Sequence, residues 1–415
     1  MTHFRNFLLN SASWMLCFLP LALLTGPFIP DLIVVLLSLI FLFLVIKDKL
    51  WSYFTNYFVY FFLFFYFYLL VRSSFSINPL FSLENSLFYF RFLLLSLCVW
   101  LVIDSDSKFL RRFSIIFALT FSIALSDGFY QYLNGKNIFG FSGIGTRLTL
   151  VFNDSQILGG YLSRLFPLLI GLLIFNFNPT KIKIIFTIVL LILTDVLIFV
   201  SGERTALGLL FISTLFIVLL ISKFKTIRII SFIVSILIMT MITIYNPSVK
   251  ERNISVTMND VGLSVSSDRV YLFSQVHEKY ILTAWNMFKD KPLIGHGPKL
   301  FRELCSRNEF QHAPDSCTTH PHNTYIQLLA ETGIIGFLFI LITVLYLCRV
   351  VIKHIYESLF RKNKVLSDYQ ICLIACFIIS LWPFLPTQNF FNNYINIIYF
   401  LPVGFYLQSI YKKDS

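Results

Sequence analysis

Two histidines and an asparagine stand where a polar segment enters a long apolar run. His320, His322 and Asn323 come directly before the run from Ile326 to Val350. Histidine is the one ordinary side chain that gains or loses a proton near neutral pH without a special environment. A histidine at a membrane surface can therefore take a proton from a substrate that is carried by a lipid. This segment predicts that chemistry.

The residues around His322 have the pattern of a helix start. Thr319 suits the N-cap and Pro321 suits the first turn, so we expect His322 to project from that turn. The helix dipole disfavours an imidazolium there, and a neutral imidazole is what a general base requires. The alternative interpretation is that His320 and His322 simply lie at the membrane interface.

A polar stripe is predicted below this helix start. Asn323, Gln327 and Glu331 recur every four residues, so they share one face of an otherwise apolar helix. Polar groups at that depth normally face a bundle interior or an aqueous cavity. The stripe therefore either supports a reaction centre or forms hydrogen bonds with a neighbouring element.

A second polar segment, from Ser201 to Thr205, separates two strongly apolar runs and contains Arg204. The planar donors of an arginine match a phosphate or a pyrophosphate. The alternatives are a local ion pair with Glu203 and the positive end of a tight hairpin. Other arginines on the same face each fit a snorkelling interface residue, but together they predict an electropositive cavity for an anionic lipid-linked substrate. They are Arg147, Arg164, Arg269 and Arg302.

The elements that must position these residues are membrane-spanning helices. The chain is 57% hydrophobic and only 13% charged, whereas a soluble domain carries about a quarter charged residues. At about 20 residues per span, the sequence predicts an all-α polytopic membrane protein with about twelve transmembrane helices. The predicted spans are residues 8–25, 28–46, 53–71, 84–103, 110–131, 156–177, 183–200, 203–222, 227–245, 324–348, 367–386 and 393–411.

Positive charge predicts the orientation of these helices. Lysine and arginine are concentrated in alternate connections, which is typical of cytoplasmic loops. Both termini are therefore predicted in the cytoplasm, and residues 246–322 form one large loop on the outer face, which in a bacterium is the periplasm. The same bias explains the net charge of +12. No basic stripe with interleaved aromatic residues indicates nucleic-acid binding.

Three regions follow from this topology. They are a transmembrane bundle of about nine spans over residues 1–245, a periplasmic loop with amphipathic helices over 246–322, and about three further spans over 323–415. The loop is predicted to begin with a flexible stretch over 253–267. Apolar residues at helical spacing then predict an amphipathic helix over 277–288, which lies on the bilayer surface or caps the bundle.

Cysteine and histidine usage bounds the remaining chemistry. Cys305 and Cys317 share the large loop and form either a disulfide, if the compartment is oxidising, or two free thiols. The other five cysteines lie in or at the ends of apolar runs and are expected to be small buried hydrophobes. The histidines of the loop lack cysteine or carboxylate partners at zinc spacing, so no metal or other cofactor is predicted.

Three segments resemble the signature of a known family. They are residues 320–333, which begin His-Pro-His-Asn-Thr-Tyr and end Ala-Glu-Thr-Gly, residues 288–297 and residues 201–206. Together they resemble the O-antigen ligase-like membrane glycosyltransferases. That superfamily includes O-antigen ligases, O-antigen polymerases and bacterial protein O-oligosaccharyltransferases. The resemblance implies a GT-C-like architecture with one large periplasmic loop late in the chain.

The resemblance also implies a role for each matching residue. His322 matches the catalytic base that activates the acceptor hydroxyl, and Arg204 matches the arginine that binds the donor pyrophosphate. The second cation of the family has two candidates in this sequence, Arg269 and His277. His320 is expected to shape the turn beside His322.

The implied reaction moves a glycan from an undecaprenyl-pyrophosphate carrier to an acceptor hydroxyl, on lipid A-core or on a growing glycan, with inversion and without a metal. The implied location is the periplasmic face of the bacterial inner membrane, in lipopolysaccharide biosynthesis. A polymerase uses the same chemistry with another acceptor, whereas protein O-oligosaccharyltransferases usually carry a further periplasmic domain. A transporter of lipid-linked sugars would have paired broken helices and inverted repeats, and the sequence indicates neither.

Overall fold

Every predicted apolar run contains a helix in the structure, a computed structural model that describes residues 2–143, 147–149, 152, 157–176, 180–263 and 269–411. Helices satisfy their own backbone hydrogen bonds, as a chain in lipid must. Within the described residues, nine helices are long and apolar enough to cross a membrane. The all-α architecture with many membrane-length helices is confirmed. The count of about twelve spans and the side on which the large loop lies stay predictions.

The first ten helices form the larger part of the bundle. They are α1 (Thr2–Ala22), α2 (Phe28–Asp48), α3 (Tyr57–Ser74), α4 (Pro79–Ser86), α5 (Phe90–Ser105), α6 (Phe109–Asn134), α7 (Leu158–Phe175), α8 (Lys181–Val200), α9 (Arg204–Leu220) and α10 (Lys225–Tyr245). Helix α7 lies deep in the bundle, between α9 and α16, and its side chains are buried from Leu158 to Leu172.

The remaining helices carry the large loop and the end of the chain. They are α11 (Pro247–Lys250), α12 (Val256–Asp260), α13 (Gln275–Asp290), α14 (Phe301–Leu304), α15 (Thr324–Phe360), α16 (Asp368–Ser380) and α17 (Asn393–Tyr411). Helix α13 confirms the predicted amphipathic helix, and it packs on α15. Helix α16 is six residues shorter at its end than the predicted span 367–386, which leaves residues 381–392 irregular.

Helix α15 is broken at Gly333, although the sequence indicated no broken helix. Gly333 has φ of 64° and ψ of −170°, a conformation that is open mainly to glycine. A side chain is also excluded there, because a Cβ atom would lie 2.3 Å from the carbonyl oxygen of Leu293.

Residues 292–297 fill this break. His296 and Gly297 donate their backbone N–H groups to the carbonyls of Ala330 and Glu331, at 3.0 and 2.7 Å. On the other side of the break, Ile334 and Ile335 donate to the carbonyls of Pro292 and Leu293, at 2.8 and 3.2 Å. The backbone groups that the break frees are therefore satisfied, as burial requires. The 292–297 segment fixes the first turns of α15 in place.

The first part of the large loop is ordered as far as Leu263, so the prediction of a flexible stretch over 253–267 is wrong for residues 253–263. A π-helical turn, Glu251–Ser255, joins α11 to α12, and Asn253 donates to the carbonyl of Phe199 at 3.4 Å. Residues 264–268 of that stretch lie outside the described residues. Such π-helical turns occur often at functional sites.

The cysteines divide almost as the sequence predicts. Cys305 and Cys317 form the disulfide, with their Cα atoms 5.0 Å apart. Four of the other five cysteines are buried, but Cys348 is exposed on α15. The disulfide closes a short loop directly before the segment that contains His320 and His322.

Candidate functional site

Three imidazole rings meet at the start of α15. The centroids of the His320 and His322 rings are 4.0 Å apart, and those of His277 and His322 are 5.0 Å apart. Tyr280, one turn along α13 from His277, lies 5.7 Å from His322 by the same measure. We call His277, His320 and His322 the histidine cluster. It joins residues that are separated by more than forty positions in the sequence.

His322 lies just outside α15 rather than in its first turn. The N-cap is Asn323, whose side chain accepts hydrogen bonds from the N–H groups of Tyr325 and Ile326 at 3.0 and 3.1 Å. The predicted N-cap at Thr319 is therefore wrong. His322 has φ of 55°, in the left-handed region that non-glycine residues seldom adopt. The ring of His322 lies against the ring of His277.

Thr387, in the 381–392 loop, holds both histidines of the α15 segment. Its N–H donates to the carbonyl of His322 at 2.8 Å, and its own carbonyl lies 3.2 Å from Nε2 of His320. Thr324 donates to its hydroxyl at 3.0 Å. The sequence analysis missed this loop because it extended a span through it. Pro383 and Pro386 were the signal, since a proline disfavours helix at the residue before it.

The polar stripe binds protein neighbours. Gln327 donates to Glu331 at 3.0 Å and to Asn389 at 2.9 Å. The Glu331 carboxylate accepts the N–H of Phe301 at 3.0 Å, and Asn323 donates to the carbonyl of Pro383 at 3.1 Å. The stripe therefore attaches both the large loop and the 381–392 loop to α15. These hydrogen bonds to neighbouring elements are observed for all three residues, and their support of a reaction centre stays a prediction.

The environment of the histidine cluster keeps its rings neutral. Burial lowers the pKa of His322 to about 3, helped by the neighbouring His320 and His277. Burial also lowers the pKa of His320 to about 4, and Arg302 acts in the same direction. The pKa of His277 is lowered by burial and then by the charge of Arg204. All three rings are therefore uncharged at neutral pH.

The ring of His322 has its nitrogens free for a substrate. His320 is held by Thr387 and contacts Thr319, and Nδ1 of His277 lies 2.9 Å from the Ser274 hydroxyl. For His322, no hydrogen bond to either ring nitrogen is found within the described part of the chain. A half-buried neutral imidazole of this kind can take a proton from a hydroxyl group.

A group of arginines lies beside the histidine cluster. Arg204 donates to the carboxylate of Asp260 at 2.6 Å and to the hydroxyl of Thr257 at 3.3 Å. The sequence also allowed a local ion pair between Arg204 and Glu203, but Arg204 pairs with Asp260 instead. The group as a whole, with Glu203 and Asp260 as its acids, is called the arginine cluster. Its cations are Arg147, Arg164, Arg204 and Arg252.

Glu203 occupies the N-terminus of α7. Its carboxylate accepts the N–H groups of Gly159 and Gly160 at 2.6 and 2.9 Å, a position where a helix favours an anion. Burial raises the pKa of Glu203 to about 7, while these N–H groups and the charges of Arg164 and Arg147 oppose the rise. Glu203 thus attaches the α8–α9 hairpin, and with it Arg204, to the centre of the bundle.

The other predicted arginines differ in their surroundings. Arg164 is buried, 5% exposed, and donates to the carbonyl of Gly160 at 3.1 Å, so it does not snorkel to the surface. Arg147 is half-buried, and burial lowers its pKa. Arg269 is instead 63% exposed and pairs with Glu278 at 2.6 Å. Arg302 is exposed and acts on His320 only through its charge.

The structure therefore brings together Arg204, His277 and His322 and leaves Arg269 outside. His277 connects the two clusters, because its ring contacts His322 and its pKa is sensitive to Arg204. The sequence analysis did not identify Arg252, which belongs to the arginine cluster. Among the described residues, no group of three or more His, Cys, Asp or Glu side chains is arranged to hold a metal ion.

A protein-family comparison matches the part of the chain that contains most of these residues. Residues 186–341 match a protein-family model described as O-Antigen ligase. The matched range includes Arg204, Arg252, His277 and His322. It confirms the resemblance of this chain to the O-antigen ligase-like superfamily, whose members are glycosyltransferase-type enzymes of the ligase and polymerase kinds. No curated protein matches the chain.

Proposed function

We propose that the protein is an O-antigen ligase-type glycosyltransferase. It moves a glycan from an undecaprenyl-pyrophosphate carrier to an acceptor hydroxyl of lipid A-core, at the periplasmic face of the bacterial inner membrane. The observation that carries the proposal is that the ring of an open, neutral His322 lies against that of His277, which in turn is close enough to Arg204 to be affected by its charge. A proton acceptor and an anion-binding group side by side are what this transfer requires.

The proposed mechanism assigns one step to each cluster. His322 takes the proton of the acceptor hydroxyl as the hydroxyl oxygen attacks the anomeric carbon of the donor. The bond from that carbon to the pyrophosphate oxygen breaks, so the configuration inverts and the pyrophosphate leaves with an added negative charge. Arg204 lies where it can stabilise this charge, and fixed cations aimed at a developing charge contribute strongly to catalysis.

A genetic complementation experiment tests the proposal. The His322→Ala variant is expressed in a strain that lacks the gene, and its lipopolysaccharide and carrier-linked glycans are compared with those of wild type. Loss of glycan from the lipid core, with long carrier-linked chains accumulating, supports a ligase. Carrier-linked single repeat units alone would identify a polymerase of the same superfamily instead. His312→Ala is the matched control, because His312 is an exposed histidine of the same loop.

Full activity of the His322→Ala variant, at the same protein level as wild type, would contradict the role of His322 as the base. A null phenotype in His312→Ala as well would show that the loop tolerates no histidine substitution. The comparison would then have to be repeated with purified proteins. Donor binding by His322→Ala separates loss of chemistry from loss of the fold, since the arginine cluster does not include His322.

A further inference from the structure

The 381–392 loop extends from the histidine cluster to the start of α7 through two adjacent residues. The N–H of Thr387 donates to the carbonyl of His322 at 2.8 Å, and Gln388 is the next residue. A Cβ atom placed on Gly160, in the first turn of α7, would lie 3.9 Å from Nε2 of Gln388. The side chain of Gln388 therefore begins beside the proposed base and ends at the N-terminus of α7.

Other polar side chains surround the amide of Gln388. The same Cβ position on Gly160 lies 2.9 Å from Nη1 of Arg164 and 3.4 Å from Oε2 of Glu203. An amide, a guanidinium and a carboxylate thus converge on one point, where only a glycine leaves room for them. The hydroxyl of Tyr394, in the first turn of α17, is close enough to Glu203 and Arg164 to be affected by their charges. We call Arg164, Glu203, Gln388 and Tyr394 the Gln388 cluster.

Several hydrogen-bonding groups of the Gln388 cluster are unused. The side chain of Gln388 is only half-buried, and its amide forms no hydrogen bond within the part of the chain that the structure describes. The Tyr394 hydroxyl and Nε of Arg164 are buried and also lack a partner among the described residues. These two side chains are 7% and 5% exposed. Buried polar groups are nearly always satisfied by protein, water or a ligand, so the two buried donors indicate a polar ligand here.

The Gln388 cluster fits a sugar hydroxyl better than a phosphate. A hydroxyl both donates and accepts hydrogen bonds, and the amide of Gln388 can do the same. The ionised carboxylate of Glu203 only accepts, so it would repel a phosphate oxygen and accept from a hydroxyl. Arg204, the proposed pyrophosphate contact, is turned to Asp260 of the large loop instead. Adjacent residues of the hairpin thus bind different elements.

We infer that Gln388 forms a hydrogen bond with a hydroxyl of the acceptor sugar, other than the hydroxyl that His322 deprotonates. This inference rests on the proposed function and adds a specificity-determining contact to it. The acceptor is the substrate that His322 must meet, and Gln388 is joined to His322 through the hydrogen bond of Thr387. The amide of Gln388 thereby selects which hydroxyl of the sugar faces the base.

Transfer kinetics of the purified full-length protein in nanodiscs test this contact. The donor is the undecaprenyl-pyrophosphate-linked glycan, the acceptor is lipid A-core, and the variants are Gln388→Ala and Gln388→Met. The KM for the acceptor should rise about three- to tenfold in both variants, the usual effect of losing one hydrogen bond. The kcat should stay within about twofold of wild type, because the contact is present before and during the transfer alike.

A second series of acceptors tests whether the contact is made to a sugar hydroxyl. Acceptors that each lack one hydroxyl of the terminal sugar are compared in wild type and in Gln388→Ala. In wild type, one of them should raise the KM about as much as the substitution does. In Gln388→Ala the same acceptor should have no further effect, because its partner is already missing. Additive losses for every acceptor would overturn the inference.

Gln311→Ala is the matched control. Gln311 is also a half-buried glutamine outside the helices, but its amide already donates to the carbonyl of Pro314 at 2.8 Å. The KM of this variant for the acceptor should equal that of wild type. The pH profile of kcat in Gln388→Met should also match wild type, since a displaced His322 would change it.

The possible failures are distinguishable. Wild-type KM for the acceptor in both Gln388 variants would overturn the inference and leave the proposed function standing. An equal loss of affinity for undecaprenyl pyrophosphate, measured by equilibrium binding, would also overturn it, because Gln388 would then serve the donor. If the wild-type protein transfers no glycan to lipid A-core, the proposed function fails and the inference fails with it.

Discussion

The histidine cluster and the arginine cluster lie side by side but are held in different ways. The main chain of Thr387 holds His320 and the carbonyl of His322. The side chain of Asp260 holds Arg204 through an ion pair. Main-chain contacts fix position without adding charge, so the rings stay neutral. An ion pair keeps its charge and can be exchanged for a substrate anion.

This difference suggests a division of labour within one site. Proton transfer depends on position within fractions of an ångström, which a rigid backbone frame provides. Anion binding tolerates more movement, and it requires charges that are not permanently neutralised. The four predictions that follow, in order of falling effect, separate the two clusters by disturbing one and measuring the other.

Removing the proposed base should abolish the chemical step and leave donor binding unchanged. For His322→Ala we expect kcat to fall by about 10²–10⁴-fold, the usual contribution of a general base. The affinity for undecaprenyl pyrophosphate should stay within about twofold of wild type, because the arginine cluster is intact. Single-turnover rates and equilibrium binding on the same preparation check this. A parallel loss of binding would mean that the two clusters are not separable.

Closing the break in α15 should disturb the histidine cluster through the backbone. In Gly333→Ala the new Cβ would overlap the main chain of Leu293 at a residue with φ of 64°. We expect a loss of about 3 kcal/mol or more in the free energy of unfolding. Gly135→Ala is the control, because Gly135 has φ of 76° but open space around it, so it should lose only about 1 kcal/mol. Thermal unfolding of both variants in detergent gives the comparison.

The Gly333→Ala variant is also tested by its activity per folded molecule. The folded fraction of Gly333→Ala should have lower kcat but near-normal donor affinity, since the arginine cluster does not contact the 292–297 segment among the described residues. Equal stability in the two glycine variants would contradict the idea that this segment fixes the start of α15.

Removing Arg204 should weaken donor binding, which the removal of His322 leaves unchanged. For Arg204→Ala we expect the dissociation constant of the donor to rise by about tenfold to a hundredfold, as for the loss of a charge-assisted hydrogen bond. Arg307, an exposed arginine of the large loop, provides the control, and Arg307→Ala should bind the donor as wild type does. The pH profile of kcat at saturating donor should not change, because no charge of the arginine cluster acts directly on the ring of His322. A changed profile would show that the clusters are coupled more tightly than their contacts indicate.

The smallest expected effect is a pH dependence that comes from Glu203. Its pKa is raised to about 7, so the carboxylate gains negative charge as the pH rises from about 6 to 8. That charge cancels part of the arginine cluster, so donor affinity should fall a few-fold over this interval in wild type and stay constant in Glu203→Gln. Because the pKa is raised above its ordinary value of 4.5, the contribution of this group to stability is also lost as the pH rises through 7.

His322 should not contribute to that pH dependence. Its pKa of about 3 leaves the ring neutral in the free protein throughout the interval. Binding measurements at pH 6 and pH 8 for wild type and Glu203→Gln check both statements. A pH dependence that persists in the glutamine variant would assign it to another group.

Local patterns in the sequence predicted the helices and the identity of the central residues. Apolar runs predicted nine of the helices α1 to α10, all but the short α4, because each helix satisfies its own backbone. Arg204 and His322 stood out because polar residues at the ends of such runs are rare. Helix formation and a polar residue at the end of an apolar run are both properties of one segment, so the sequence of that segment is enough to predict them.

Contacts between distant segments were not predictable in the same way. The break at Gly333 depends on the backbone of residues 292–297, and the position of His322 depends on Thr387. Arg252 was not singled out in the sequence, and it is the π-helical turn that places it on Gly202. Each of these depends on which segment lies opposite, and one sequence does not contain that information.

The dependence of His320 and His322 on Thr387 has a consequence for how the protein is made. Residue 387 leaves the ribosome after the whole of α15 and α16. A nascent chain that has reached residue 360 contains the arginines and the disulfide-forming cysteines, but its histidines have no frame. The site is therefore completed last, when the 381–392 loop returns from the end of α16.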